Sequence, residues 1–206
     1  MAKTPEKQVD INDEYQQRLI KRSTIAELGL ELHPENFLDR ISTTEIKARA
    51  VGKLRSGEDV MKSPKKTIRV AGRIMTFRSH GKLSFAQLQD FEGRIQLALV
   101  KGTTEIVGLD DKKMPHHKFW EKMIDLGDYV GIDGELFETK HGETTILVKD
   151  LTFLGKALRP LPEKFHGLAD EDQILRRRYL DTLTNEDSRK RFKFGSVLIR
   201  AVREFF

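Results

Sequence analysis

The 206-residue chain contains no cysteine. That excludes disulfides, thiolate zinc sites and cysteine nucleophiles, and it fits a reducing, cytoplasmic setting. No run approaches the ~18 apolar residues that a membrane-spanning helix needs. The opening residues, MAKTPEKQVDINDE, hold no apolar stretch of the secretory-signal kind. Catalytic signatures are missing too. Gly81-Lys82 lacks the upstream glycine of a phosphate-binding loop and is followed by Leu83, and neither GxSxG nor HExxH occurs. His116 and His117 are adjacent, a poor spacing for two ligands of one helical metal site, so no metal is expected. Trp120 is the only tryptophan. It suits a plug in the mouth of a barrel better than an exposed stacking ring.

What the chain has is charge and alternation. Lysine and arginine number 37 against 32 acidic residues, giving a net charge of +5 and a pI near 9.3. This leans toward a polyanionic partner, although the surface is mixed.

The stretch from Ile68 to Val100 reads as three strands joined by glycine-containing turns. Ile68, Val70, Gly72 and Ile74 share one face of the first, with Arg69, Arg73 and Met75 opposite. Ser84, Ala86 and Leu88 share one face of the second, with Leu83, Phe85, Gln87 and Gln89 opposite. Ile95, Leu97 and Leu99 share one face of the third, with Arg94, Gln96 and Ala98 opposite. Phe85 thus falls among glutamines on the face that should be wet. An aromatic ring on a polar, arginine-flanked sheet face holds single-stranded nucleic acid by stacking, at roughly 1–3 kcal/mol per base. The competing reading packs Phe85 under a loop or into the core through a slip of parity at a bulge.

The remaining elements frame these strands. Residues 1–10 read as disordered and 12–28 as an amphipathic helix with Tyr15, Leu19, Ile20 and Ile25 as its stripe. Ser42 with Glu45 makes a capping box for a second helix, and RSGEDVMKSP (55–64) reads as a linker. HHKFWEKMIDLG predicts a short helix carrying Phe119 and Trp120. Two more strands, 129–139 and 144–155, form a hairpin. Val130, Ile132, Gly134 and Leu136 face inward there, with Glu135 and Phe137 outward. Three strands, a helix and a hairpin is the order of a five-stranded OB-fold barrel, within an α+β chain of β strands and flanking helices. The expected divisions are a helical extension (1–65), the OB-fold domain (66–155), a proline-punctuated linker (156–184) and a helix from Asn185 (185–206). That last helix carries Phe192, Val197, Leu198, Ala201, Val202 and Phe205 as its apolar stripe. The linker holds an expected helix at 170–184 with an arginine run, Arg176 to Arg178, placed to bridge domains or meet nucleic acid.

The runs VAGRIMTFR (70–78), GKLSFAQLQD (81–90), GRIQL (93–97) and GKALRPLPEKFHGLADEDQILRRRYLD (155–181) resemble the class II lysyl-tRNA synthetases of the Asp/Asn/Lys subgroup. ALRPLPEKFHGL with RRRYLD is similar to the lysyl members in particular. The resemblance implies that residues 66–155 are the anticodon-binding domain for lysine tRNA. It also implies that 185–206 is the dimer-forming first helix of a catalytic domain, in a homodimer. ATP-dependent lysine attachment, through lysyl-adenylate with Mg²⁺, would need motifs 2 and 3, which this chain lacks, so the chain alone should be inactive and hold no cofactor itself. By carry-over onto matching positions, Phe85 stacks on the central anticodon uridine, and Arg78 and Gln96 hydrogen-bond its edge. Arg73 and Lys82 are plausible phosphate partners, although basic residues at a strand edge often only solubilise. Glu135 could line the same groove, accepting a base amino or imino hydrogen. Two other readings stay open. One is an OB module binding single strands without sequence preference, with Phe77 and Phe137 as further stacking rings. The other is a piece acting only in dimerisation.

Overall fold

The computed structural model describes residues 11–50, 54–63, 65–139, 141–161 and 171–206. The start read as disordered (1–10) and residues 162–170 of the expected linker lie outside the described residues. The chain divides into two compact units at Pro160.

The first unit contains α1 (Ile11–Glu27), α2 (Thr43–Arg49), β1 (Arg55–Ser56), α3 (Gly57–Lys62), β2 (Ile68–His80), β3 (Leu83–Gln89), β4 (Arg94–Val100), β5 (Glu105–Ile106), α4 (His116–Lys122), β6 (Tyr129–Glu138) and β7 (Thr144–Gly155). Five strands form a closed circuit of hydrogen bonds. β2 pairs antiparallel with β3 and β6, β3 with β4, and β6 with β7, while β4 pairs parallel with β7. Short β1 and β5 add to the outer edges of β6 and β7.

Alternation decides what fills the circuit. Val70, Ile74, Ala86, Leu88, Ile95, Leu97, Val130, Ile132, Ile146 and Val148 are buried together inside. α4 adds Phe119 and Trp120 to the same core, and Phe119 meets Phe153 edge-on at 6.4 Å. The expected plug is therefore a core residue. Closing so few strands demands strong curvature, and glycine sits where backbones crowd. A Cβ on Gly72 would lie 2.5 Å from the Gln89 carbonyl oxygen, and one on Gly134 would collide with the Leu147 carbonyl.

The stripe expected of α1 is corrected. Ile25 is fully buried in the core, but Ile20 is 67% exposed and Arg18 is buried instead. Arg18 is drawn in by acceptors: it donates to the Leu126 carbonyl at 3.0 Å, the Ala157 carbonyl at 2.8 Å and Glu14 at 2.7 Å. Beside it, the buried Lys156 ammonium donates to Met123 O, Asp125 and Asp128 at 2.5–2.7 Å. Lys21 reaches the other Asp125 oxygen at 2.5 Å. This cluster clips α1 to the turn before β6 and to the segment that follows β7. The capping box is present as expected, with Ser42 Oγ accepting from Glu45 N at 3.2 Å.

The second unit holds α5 (Glu171–Arg176), α6 (Arg178–Thr184) and α7 (Glu186–Phe205). The single helix expected over 170–184 is broken at Arg177. In the arginine run, Arg176 pairs with Asp172 and Arg178 with Asp181, both inside the unit. Asn185 caps α7, accepting from Asp187 N and Ser188 N.

The Asp125 carboxyl is expected to govern acid stability. Burial alone would raise it, but hydrogen bonds from Lys156 and Lys21 outweigh that and hold it below its ordinary value. A depressed carboxylate contributes stability above its unfolded value, and the contribution is lost as pH falls through the folded value. Urea unfolding should therefore show stability declining below about pH 4, and Asp125→Asn should flatten that decline.

Candidate nucleic-acid interface

The outward side chains of the closed sheet form two adjacent rows. Residues paired across neighbouring strands project to the same face. Arg78 pairs with Phe85, Phe85 with Ala98, Ala98 with Leu147, and Leu147 with Glu135. In the next row Thr76 pairs with Gln87, Gln87 with Gln96, Gln96 with Thr145, and Thr145 with Phe137. Arg78, Phe85 and Gln96 therefore share one face.

A bulge puts Arg78 there. Simple alternation from Ile68, Val70 and Ile74 would turn it inward. The β2–β3 register instead shifts between Ile74 and Thr76, leaving Met75 as the extra, buried residue. One extra residue inverts every later side chain. Arg78 becomes exposed, and among the described residues it has no hydrogen-bond or ion-pair partner. Phe77 is turned inward opposite Ala86 and packs on the core. The expectation of Phe77 as a stacking ring is thus corrected. Phe137 faces outward but is only 4% exposed, so it offers no open ring face either.

Phe85 is half-buried. It packs with Leu83 and Val100 against a second apolar cluster of Val60, Ala98, Phe137 and Leu147 on the outer face. Its ring is thus braced by neighbours, which limits the rotamer freedom that stacking would cost.

Val60 comes from the stretch read as a linker, and that reading is corrected. Residues 55–62 form β1 and α3 and lie against the cluster. Ser56 caps α3, accepting from Asp59 N at 3.2 Å, and a Cβ on Gly57 would stand 3.1 Å from the Phe137 ring. The buried Glu135 carboxylate holds both ends of this segment. It accepts from Arg55 Nη1 at 2.8 and 3.0 Å and from Lys65 N at 2.8 Å. Arg55 also donates to the carbonyls of Asp59 and Ser63. Glu135 therefore lies in the expected row with its oxygens already engaged. The pair Ser56 and Asp59 was the available sequence signal for α3. One apolar contact at Val60 leaves no periodicity to read.

Gln96 meets a residue that pattern reading passed over. Its amide faces the Glu143 carboxylate, which only accepts. With its nitrogen turned toward Glu143, the orientation this chemistry favours, the amide would donate to Oε1 at 2.7 Å and also to Oε2.

Charge is uneven along these rows. Arg78, His80, Lys82 and Lys101 are exposed at the β2–β3 turn and the end of β4, where Lys101 N donates to the Lys82 carbonyl at 2.9 Å. Glu138 and Glu143 are exposed at the opposite end. Arg73 is occupied elsewhere. Its guanidinium lies 4.1 Å from the centre of the Tyr129 ring and donates to Tyr129 Oη and the Gly127 carbonyl. Among the described residues, no three His, Cys, Asp or Glu side chains are grouped to hold a metal, and no helix is long and apolar enough to cross a membrane.

Residues 68–154 match the family model described as "OB-fold nucleic acid binding domain". The chain is 40% identical over 196 residues to the lysine–tRNA ligase of Streptococcus suis, covering 95% of this chain and 37% of that one. It is 41% identical over 200 residues to the lysine–tRNA ligase of Serratia proteamaculans, covering 97% and 37%. It is 51% identical over 138 residues to that of Thiobacillus denitrificans, covering 67% and 26%. The chain thus spans between about a quarter and little more than a third of the length of these relatives.

Arg55→Ala is expected to destabilise the first unit by about 1–3 kcal/mol, because it strips a partner from the buried Glu135 carboxylate. Urea unfolding of the variant against the parent chain measures this.

Proposed function

We propose, because this chain belongs to the lysine–tRNA ligase family, that its closed sheet is an OB-fold barrel that reads the anticodon loop of lysine tRNA. The observation that carries the reading is the shared outer face of Arg78, Phe85 and Gln96. Such a face suits a splayed pyrimidine. The base stacks on Phe85, the Arg78 guanidinium donates to a uracil carbonyl, and the Gln96 amide meets the base edge. The exposed Lys82 and Lys101 at the arginine end take the phosphates, which makes binding salt-dependent by about 0.7 log units per contact. Glu135 acts from beneath, holding Arg55 and Lys65 on either side of α3, whose Val60 packs in the apolar cluster that braces Phe85.

In the whole ligase this binding would select the tRNA that receives lysine. ATP and Mg²⁺ would serve lysine activation at residues outside this chain. The helix α7, with Val197, Leu198, Val202 and Phe205 about half exposed or more, would open the catalytic domain and pair two subunits. A cytoplasmic setting fits that role.

The rival reading, an OB module indifferent to sequence, needs several stacking rings along the groove. Phe77 faces the core and Phe137 is covered, so Phe85 is the one open ring of those three; the exposed Tyr129 of β6 is stacked on Arg73, outside the rows of Phe85 and Gln96.

Fluorescence anisotropy with a lysine-tRNA anticodon stem-loop tests the proposal. Phe85→Ala should weaken binding about tenfold, the size expected from losing one stacked base. Equal binding of parent and variant, removed by salt in both, would favour the indifferent module.

A further inference from the structure

We infer that Glu143 sets the specificity of the base pocket by fixing which end of the Gln96 amide faces the base. The inference rests on the anticodon reading above and adds to it a residue that reads no base itself.

A glutamine amide is ambivalent. It presents a carbonyl acceptor from one end and an NH₂ donor from the other, and a half-turn exchanges them. Uracil and cytosine differ at the atom such an amide would meet. Uracil carries an N3–H donor, whereas cytosine carries an N3 lone pair. An amide that turns freely satisfies either base, so Gln96 alone discriminates weakly.

Glu143 removes that freedom. Its carboxylate accepts only, so the Gln96 NH₂ turns toward it, with one bond at 2.7 Å. The register decides where the other end points. Gln96 pairs with Thr145 and Ala98 pairs with Leu147. Glu143, two residues before Thr145, thus flanks Gln96 on the side away from the row of Ala98 and Phe85. With its nitrogen held by Glu143, the amide turns its oxygen toward the Phe85 row. That oxygen accepts from a uracil N3–H and faces the lone pair of a cytosine N3.

Glu143 is itself held by its turn. Its carbonyl accepts from Thr139 N at 3.0 Å and from Thr145 Oγ1 at 3.1 Å, and its N–H donates to Thr139 Oγ1 at 3.1 Å. Gly142 has φ +78°, a left-handed conformation that glycine adopts without strain and that brings Glu143 back toward β4. Thr145, the direct neighbour of Gln96, is fully buried. The backbone that carries the exposed Glu143 side chain is therefore fixed.

The test uses the full chain and two stem-loops, with uridine or cytidine at the centre of the anticodon. Glu143→Ala should reduce the preference for uridine about tenfold, mainly because the cytidine loop binds better once the amide can turn. Glu143→Gln keeps an acceptor and should retain most of the preference. The Gln96 side-chain NH₂ pair in a ¹⁵N–¹H spectrum, assigned with Gln96→Met, should shift in Glu143→Ala without any RNA. An unmoved NH₂ pair, an unchanged preference, or equal weakening of both loops would each overturn the role of Glu143. A parent chain that binds both loops alike would instead overturn the anticodon reading, and this inference with it.

Discussion

The pairing of β6 with β7 closes five strands on themselves, and nearly everything else follows from that closure. In a closed sheet each side chain lies inside or outside, with no edge to blur the choice. The inner positions are filled by Val70, Leu88, Leu97, Ile132 and Ile146, with Phe119 and Trp120 from α4. The outer positions are then free to differ. Some are apolar and covered, as Ala98, Leu147 and Phe137 are by Val60, and on one patch they are Arg78, Phe85, Gln87 and Gln96. Gly134 permits the closure because no side chain fits between its backbone and that of Leu147.

One residue of irregularity matters as much as the regular pattern. The bulge at Met75 keeps Ile74 inside and turns Arg78 outside, so the cation reaches the row of Phe85. The same inversion sends Phe77 into the core. The five strands of the circuit, the inner faces of β3 and β4, and the common face of Phe85 and Gln96 were legible in the sequence, because alternation within a short strand is a local property; the two-residue β1 and β5 were not. The outward turn of Arg78 was not, because nothing in IRVAGRIMTFR marks which residue is extra. α3 was missed for a related reason. It is held by Val60 on a remote cluster and by Arg55 on Glu135, and neither contact leaves a local trace beyond Ser56 and Asp59. Arg18 in place of Ile20 on the buried side of α1 is a third case, where backbone carbonyls of Leu126 and Ala157 outweigh hydrophobic patterning.

Net charge is a poor guide to the candidate interface, and the structure shows why. Many of its cations serve the fold. Lys156 and Lys21 are committed to Asp125, Arg55 to Glu135, and Arg73 to Tyr129. What faces solvent beside Phe85 is a small group, Arg78 with His80, Lys82 and Lys101, opposed across the rows by Glu138 and Glu143. This polarity would orient a bound loop, with phosphates toward the β2–β3 turn and a base edge toward Gln96.

On this reading one outer face of the closed sheet, and no other surface of the first unit, meets the RNA. Adding an anticodon stem-loop to the ¹⁵N-labelled chain and following the backbone amides tests it most directly. The largest shifts are expected at residues 76–78, 85–87, 96–98 and 143–147. Shifts concentrated instead around the groove lined by Lys66, Arg69, Asp133 and Asp150, with the Phe85 row unmoved, would contradict it.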